Sequence, residues 1–415
     1  MKLNINILIS KEKKDIDVIN DTINISLYKP TNYELTKIIN NLGNHLKIYS
    51  IIDEIIITFD KSFESKNIQK IVTKLDNIFY SFYPNHTKIK YNNIDTTSQL
   101  LVKHLKNYKD ITMETDKTPD TYVKYIKNNL PKGYKIKVRK LKDNDKLFPL
   151  TSAVGQGSRY NSYFVHIYKK KENKKCKDIV LIGKAITFDS GGLNIKPSEM
   201  HVMKIDMTGS AIIINVLNML VSSGKDKNNI HLLIPIAENM IGSKAIRPGM
   251  VIKTLNNKSV EIVDTDAEGR LCMADAIEYF TKYMVSKLKS PILIDIATLT
   301  GGVSRVTAFG GVVMCNNKGK KYTEKLIVNA LSVGEYVEYL ELREEYNQYL
   351  SSSVADICNY NPECQAGTAC AGAFLNYFVN PNVPYIHIDV GCGTIDKNTV
   401  NSYGILLLYR FLKKL

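Results

Sequence analysis

The sequence predicts an α/β protein: a mixed β-sheet flanked by helices on both faces in the C-terminal two-thirds, preceded by a smaller α/β domain. Three observations predict this. From about residue 151, short β-prone runs alternate with helical stretches, the order that builds a largely parallel or mixed sheet covered on both sides. Residues 1–110 carry a separate, simpler α/β pattern of their own. The chain has 415 residues, 44% of them hydrophobic and 23% charged, which is ample for two or three buried cores.

The N-terminal run MKLNINILISKEKK is interrupted at alternate positions by Asn4 and Asn6. Such alternation reads as a first strand, and with no small-residue cleavage site after it a signal peptide is not expected. The run SIIDEIIITF predicts another strand, and NIQKIVTKLDNIFYSF a helix. Residues 111–150 are polar and lysine-rich and read as a helix and strand linking two domains, giving boundaries of 1–110, 111–150 and 151–415. Beyond them YFVHIY, DIVLIG, IHLLIPIA, SVEIV, PILIDIAT and YIHIDV predict strands. TGSAIIINVLNMLVSS and LCMADAIEYFTKYMVSKL predict helices between them. In such sheets ligands bind at the carboxyl ends of the strands.

Composition narrows the function classes. No stretch approaches the ~18 unbroken apolar residues of a membrane helix. The seven cysteines are scattered without a CxxC pair, so free thiols in a reducing, cytoplasmic compartment are expected. The net charge of +15 is concentrated in residues 101–150 and in the lysine-rich loop 169–177. A basic patch can hold nucleic acid. With no aromatic residue in the loop 169–177, solvated connectors are the favoured reading.

The chemistry gathers where the strands end. DIVLIGKAITFDSGGLNIK places Lys184 at a strand terminus, then Asp189 before a Ser-Gly-Gly turn, then Lys196. Asp206 follows ahead of a helix, and VEIVDTDAEGRLCMADA supplies Asp264, Asp266, Glu268 and Arg270 after a strand. At extended spacing Asp266, Glu268 and Arg270 share one face. Four carboxylates among small neighbours repel one another unless positive charge lies between them. A pair of divalent cations resolves the conflict, and two metals can generate hydroxide and polarise a carbonyl. Any one acid alone is more often a helix cap or a solvated turn residue. Two lysines, an arginine and four acids at strand ends point instead to a metal or anion site. Oxygen-rich donors suit Mn²⁺, Mg²⁺ or Zn²⁺.

VDTDAEGRLCMADA resembles the NTDAEGRL signature of the leucyl aminopeptidases, peptidase family M17, with Asp264 in place of Asn. IGKAITFDSGGLNIK resembles that family's GKGITFDSGG motif, with Ala185 for Gly. IDIATLTG, EEYNQYLSSSVADICN and YIHIDV extend the similarity from about residue 146 to the end. The N-terminal part matches weakly and is shorter than is usual for the family.

The resemblance implies a metal-dependent aminopeptidase with a two-metal hydrolytic mechanism. Lys184, Asp189, Asp206 and Glu268 would hold one ion, and Asp189, Asp266 and Glu268 the other, so that Asp189 and Glu268 bridge. Lys184 can ligate only when neutral, and two adjacent cations would lower its pKa. Lys196 would stay charged and stabilise the developing oxyanion. Arg270 would position a bicarbonate that serves as general base. The substrate's free α-amino group would bind one ion and the scissile carbonyl the other, which explains exopeptidase action. Leu299 and Gly301 would line the cleft, while Met203, Thr298, Gly391 and Thr394 would shape the pocket for the first side chain. The turn Gly391–Thr394 replaces the family's usual Ala-Gly, and the segment 358–367 replaces a Gly-rich stretch, so the departures bear on substrate more than on chemistry. A cytoplasmic homohexamer acting on peptides is the implied assembly. A non-catalytic relative would have lost a ligand, and all seven chemical positions are present.

Overall fold

A computed structural model describes residues 2–9, 15–19, 22–27, 34, 37–39, 41–42, 54–82, 88–169, 176–308, 310–396 and 399–415. Residues 50–53 of the second predicted strand and 170–175 of the lysine-rich loop lie outside the described residues. The chain divides into two compact units, Met1–Asn107 with Ser332–Gly334, and Tyr108–Leu331 with Glu335–Leu415.

The first unit is built on strands β1 (Lys2–Ile9), β2 (Asp15–Ile19), β3 (Thr22–Leu27), β4 (Glu54–Phe59) and β5 (Lys88–Asn92), with helix α1 (Ser65–Phe82) after β4. They form one sheet in the order β2-β3-β1-β4-β5, parallel except for the β2–β3 pair. The alternation in β1 works as read: Leu3, Ile5 and Ile7 are buried while Asn4 and Asn6 stay partly exposed. Ile55, Ile57 and Phe59 of β4 join Ile71, Val72, Leu75 and Phe79 of α1 in this core.

The second unit contains helix α2 (Pro119–Asn128), strand β6 (Lys135–Lys140), helix α3 (Pro149–Gly155), strands β7 (Tyr163–Tyr168), β8 (Asp178–Gly183) and β9 (Ala185–Asp189), and helix α4 (Thr208–Ser222). Next come β10 (Asn229–Asn239), helix α5 (Glu268–Tyr283), β11 (Ile292–Ala297), β12 (Gly310–Cys315), β13 (Tyr336–Tyr339), helix α6 (Gly367–Asn376), β14 (Tyr385–Asp389) and helix α7 (Ile405–Lys414). Residues 111–150, read above as a connection between domains, belong largely to this unit, and β6 is the outer strand of its sheet. The nine-stranded sheet runs β13-β12-β14-β11-β8-β10-β7-β6, with β9 paired to the far end of β10. Its centre, β14-β11-β8-β10, is parallel.

Every residue of β8, β11 and β14 is buried, as strands covered on both faces require. Val180 and Ile182 share a core with Leu271, Ile277 and Phe280 of α5. Helix α4 packs on the other face against β8 and β11, with α7 behind it. The long apolar helical stretch Met200–Ser222 is mostly buried in this way. Because the central strands are parallel, their carboxyl ends lie along one edge. That edge carries Lys184, Asp189, Asn239, Thr298 and Asp389.

Two expectations change. Cys364 and Cys370, expected as free thiols, are disulfide-bonded, because the chain turns back ahead of α6 and joins residues six apart, a spacing outside the CxxC pattern. Cys176, Cys272, Cys315, Cys358 and Cys392 are free. Glu268 and Arg270 also do not continue an extended run, since Glu268 opens α5.

Phe280 is fully buried. Phe280→Ala is therefore expected to lower the stability of this unit by about 3–5 kcal/mol, measured as the urea midpoint of its unfolding transition. A pH effect is expected from β7. His166 Nε2 lies 3.1 Å from His231 Nδ1. Burial, reinforced by His231 and Lys137, drops His166 to about 3. The unfolded chain takes up this proton near pH ~6.5. The contribution is fully present above that pH and is lost as pH falls toward about 3. His166→Phe should shrink the fall in melting temperature between pH 7.5 and 5.

Candidate metal centre

Lys184 follows β8 directly and points into the gap where the sheet edge opens. Its Nζ lies 2.9 Å from Asp206 Oδ2 and 2.9 Å from Glu268 Oε1. The same ammonium donates to the carbonyl of Thr298 at 3.0 Å. Burial opposes its charge, but the carboxylates of Asp206, Glu268 and Asp189 override that and hold the ammonium above the usual lysine range. Gly269 makes this possible. A Cβ there would stand 2.4 Å from Lys184 Cε, so glycine lets the first turn of α5 pass without displacing the Lys184 side chain.

Lys196 serves the other side. Its Nζ is 2.8 Å from Asp189 Oδ2 and 2.5 Å from Asp266 Oδ1. Burial again works against the charge, and Asp189 and Glu268 outweigh it. The Ser190–Gly192 turn that returns the chain toward Lys196 needs glycine: Gly191 has φ +85°, and its amide donates to Asp189 Oδ1 at 2.9 Å.

Asp189, Asp266 and Glu268 each offer an oxygen, all within 4.8 Å of one another. Burial pushes the Asp206 carboxyl well above its ordinary value. Burial, with the charges of Asp189 and Glu268, raises Asp266 to about 7. Asp206 Oδ2 and Glu268 Oε1 are buried, with Lys184 Nζ 2.9 Å from each as their close cationic partner. Buried carboxylate oxygens facing one another with so few donors fit a divalent cation, and the donor set is the hard-oxygen type such ions prefer. Glu268 gains further from its place in the first turn of α5, where the helix dipole favours negative charge.

Asp266 and Glu268 meet through a turn, not a shared strand face. Asp266 N donates to Asp264 Oδ1 at 2.8 Å, and Ala267 N to Asp264 O at 3.3 Å. Arg270 is buried, and burial lowers its pKa; its Nη1 donates to the carbonyl of Asn359 at 2.7 Å.

Three polar residues that sequence reasoning did not single out hold the two loops. Asn239, at the end of β10, donates to Asp189 Oδ1 at 2.7 Å and to Thr265 O at 3.0 Å. Thr265 Oγ1 donates to Gly191 O at 2.7 Å and accepts from Asn194 N at 2.8 Å. Asn359, fully buried, accepts from Val263 N at 2.8 Å and donates to Asp264 O at 2.6 Å. The available signal was positional, since each stands in or beside a motif segment.

The pocket residues separate. Thr298 faces the ion cluster, its Oγ1 donating to Asp206 Oδ1 at 2.9 Å. Met203 and Leu299 are partly buried, and Gly301 is exposed. Gly391 donates its amide to Asp389 at 3.1 Å. Thr394 is wholly buried, with its hydroxyl given to Val390 O at 3.0 Å, so it presents no side chain to a cleft. Gly393 and Thr394 of the turn after β14 are buried, where the resemblance implied a pocket-shaping side chain at Thr394.

The class these features define is an α/β protein with an oxygen-donor site for divalent metal at its carboxyl edge. Residues 103–406 match the profile of the cytosol aminopeptidase family, catalytic domain (peptidase M17). A probable cytosol aminopeptidase of Rickettsia canadensis (strain McKiel) is 34% identical over 321 residues, 74% of this chain and 62% of that protein. Its counterpart in Rickettsia felis (strain ATCC VR-1525 / URRWXCal2) is 34% identical over 311 residues, 72% of this chain and 61% of that protein. The chain thus spans less than two thirds of the length of the curated relatives it matches. Among solved structures, a bottromycin maturation enzyme, BotP, in complex with Mn, has a TM-score of 0.84 at 19% identity, covering 99% of both chains, a likeness of fold. The chain belongs to the cytosol aminopeptidase family, peptidase M17.

Gly269→Ala tests the packing at the centre. In an ordinary helix interior this change stabilises by about 0.5–1 kcal/mol. Here the pinned Lys184 chain must move, so the variant is expected to lose stability and to bind Mn²⁺ at least about tenfold more weakly, read by calorimetric titration.

Proposed function

We propose that the chain is a metal-dependent aminopeptidase that removes N-terminal amino acids from peptides by two-metal hydrolysis. The observation that carries this is the convergence of Lys184 and Lys196 with Asp189, Asp206, Asp266 and Glu268 at one sheet edge, in a chain of the M17 family.

Lys184, Asp189, Asp206, Asp266 and Glu268 would hold two divalent ions, Zn²⁺ or Mn²⁺, with Mg²⁺ as a further candidate. Bound there, such ions supply an activated water and polarise the scissile carbonyl. Lys196 sits between Asp189 and Asp266 and holds a positive charge where negative charge develops on the carbonyl oxygen. Arg270, fixed through one nitrogen to Asn359, would orient a bicarbonate as general base with its remaining donors. The backbone at Leu299 and Gly301 would receive the peptide, and Met203 and Gly391 would border the first side chain. A cytoplasmic homohexamer is the assembly we expect from the family resemblance. The names of the Rickettsia relatives support the cytosolic assignment.

Hydrolysis of an aminoacyl-anilide panel with added Mn²⁺ or Zn²⁺ tests this. Amino acid release is expected, abolished by chelator and restored by metal. Lys196→Ala should lower kcat by about 10²–10³, and Glu268→Ala should abolish release. No release under either metal, or an unchanged rate in Glu268→Ala, would contradict the proposal.

A further inference from the structure

Asp389 ends β14, beside the ion cluster but outside it. Its side chain is completely buried, and donors surround it. Oδ1 accepts from Leu299 N at 3.1 Å, Thr300 N at 3.4 Å and Gly391 N at 3.1 Å. Oδ2 accepts from Thr300 Oγ1 at 2.8 Å. Thr300 Oγ1 also lies 2.8 Å from Thr368 Oγ1. Since the Thr300 hydroxyl gives its one proton to Asp389, Thr368 must be the donor in that second bond. A directed chain therefore runs from α6 through Thr300 to the end of β14.

This arrangement replaces a missing strand. The ladder between β11 and β14 pairs Ala297 with Asp389, and Val390 N donates to Ala297 O at 2.8 Å. Beyond Ala297 the ladder stops, and the Asp389 carboxylate takes the amides of Leu299 and Thr300. Just upstream, Thr298 contacts the ion cluster through Lys184 and Asp206. One short segment is thus held at Thr298 by the metal-site residues and at 299–300 by Asp389.

We infer that Asp389 is a positioning residue for peptide binding: it fixes the course of segment 298–301, along which the substrate backbone lies, independently of the ion cluster. The inference rests on the aminopeptidase reading above, in which this segment lines the cleft.

Asp389→Ala, Asp389→Asn and Thr300→Val in the metal-loaded full chain test it by two readouts. In steady-state hydrolysis of an aminoacyl-anilide, Thr300→Val should raise KM about 3- to 10-fold and Asp389→Ala by about tenfold or more, with kcat within about twofold and bound metal unchanged. Asp389→Asn keeps an oxygen for the three amides and should return KM toward the wild-type value. In hydrogen–deuterium exchange, amides of 297–302 should exchange at least about tenfold faster in Asp389→Ala, with Asp389→Asn intermediate. Unchanged KM and unchanged exchange would overturn the inference, as would a loss confined to kcat with lowered metal content. If Asp389→Ala does not fold, KM in Thr300→Val and exchange in Asp389→Asn decide. If the wild type releases no amino acid, the proposed function falls, and the exchange comparison still decides whether Asp389 fixes the segment.

Discussion

Four acidic side chains are drawn together at one sheet edge, three of them almost wholly buried, and their mutual repulsion is the constraint the rest of the site answers to. Water would normally screen such charges, but burial removes it and leaves each carboxylate exposed to its neighbours. Two lysines supply part of the compensation. Lys184 lies against Asp206 and Glu268, and Lys196 against Asp189 and Asp266. The remaining imbalance is visible in Asp266, raised to about 7, and in Asp206, pushed well above the ordinary carboxyl range by burial. Divalent ions bound there would complete the compensation, and by their charge they would also oppose the ammonium form of Lys184 that the carboxylates now favour.

A cluster under such tension needs a stiff frame. The parallel centre of the sheet aligns the strand ends, and side-chain amides and hydroxyls knit the loops beyond them. Asn239 ties the Asp189 turn to the Asp266 turn. Asn359 ties the Asp266 turn to Arg270. Asp389 ties the 298–301 segment to β14. Each replaces backbone partners that the ladder cannot reach, so buried polar groups stay satisfied where the regular structure ends. Gly269 and Gly191 give room beside the Lys184 side chain and in the turn after Asp189.

Much of this was legible in the sequence, for identifiable reasons. The alternation of β-prone and helical runs, DIVLIG and PILIDIAT among the strands, predicted the covered sheet. Lys184, Asp189, Lys196, Asp206, Asp266 and Glu268 announced themselves because charged residues at strand ends beside small ones have few structural reasons to be there. Other features were not legible. Helix α6, GTACAGAFLN, is mostly small and apolar residues, with no polar face to give a period. The meeting of Asp266 and Glu268 depends on a turn, where extended geometry was expected. Asn239, Asn359 and Asp389 are ordinary polar residues until folding brings them to partners 50, 95 and 90 positions away. Thr394 was expected to shape the first-side-chain pocket because nothing local reveals that its side chain is buried.

Elemental analysis of bound metal puts the account to its most direct test. After loading with Mn²⁺ or Zn²⁺ and extensive dialysis, the wild-type chain should retain two ions, and a chain in which Asp189 and Glu268 are both replaced by alanine should retain none. Wild-type protein that retains no ion after loading, or a double variant that still binds two, would contradict the claim that these acids are gathered around cations.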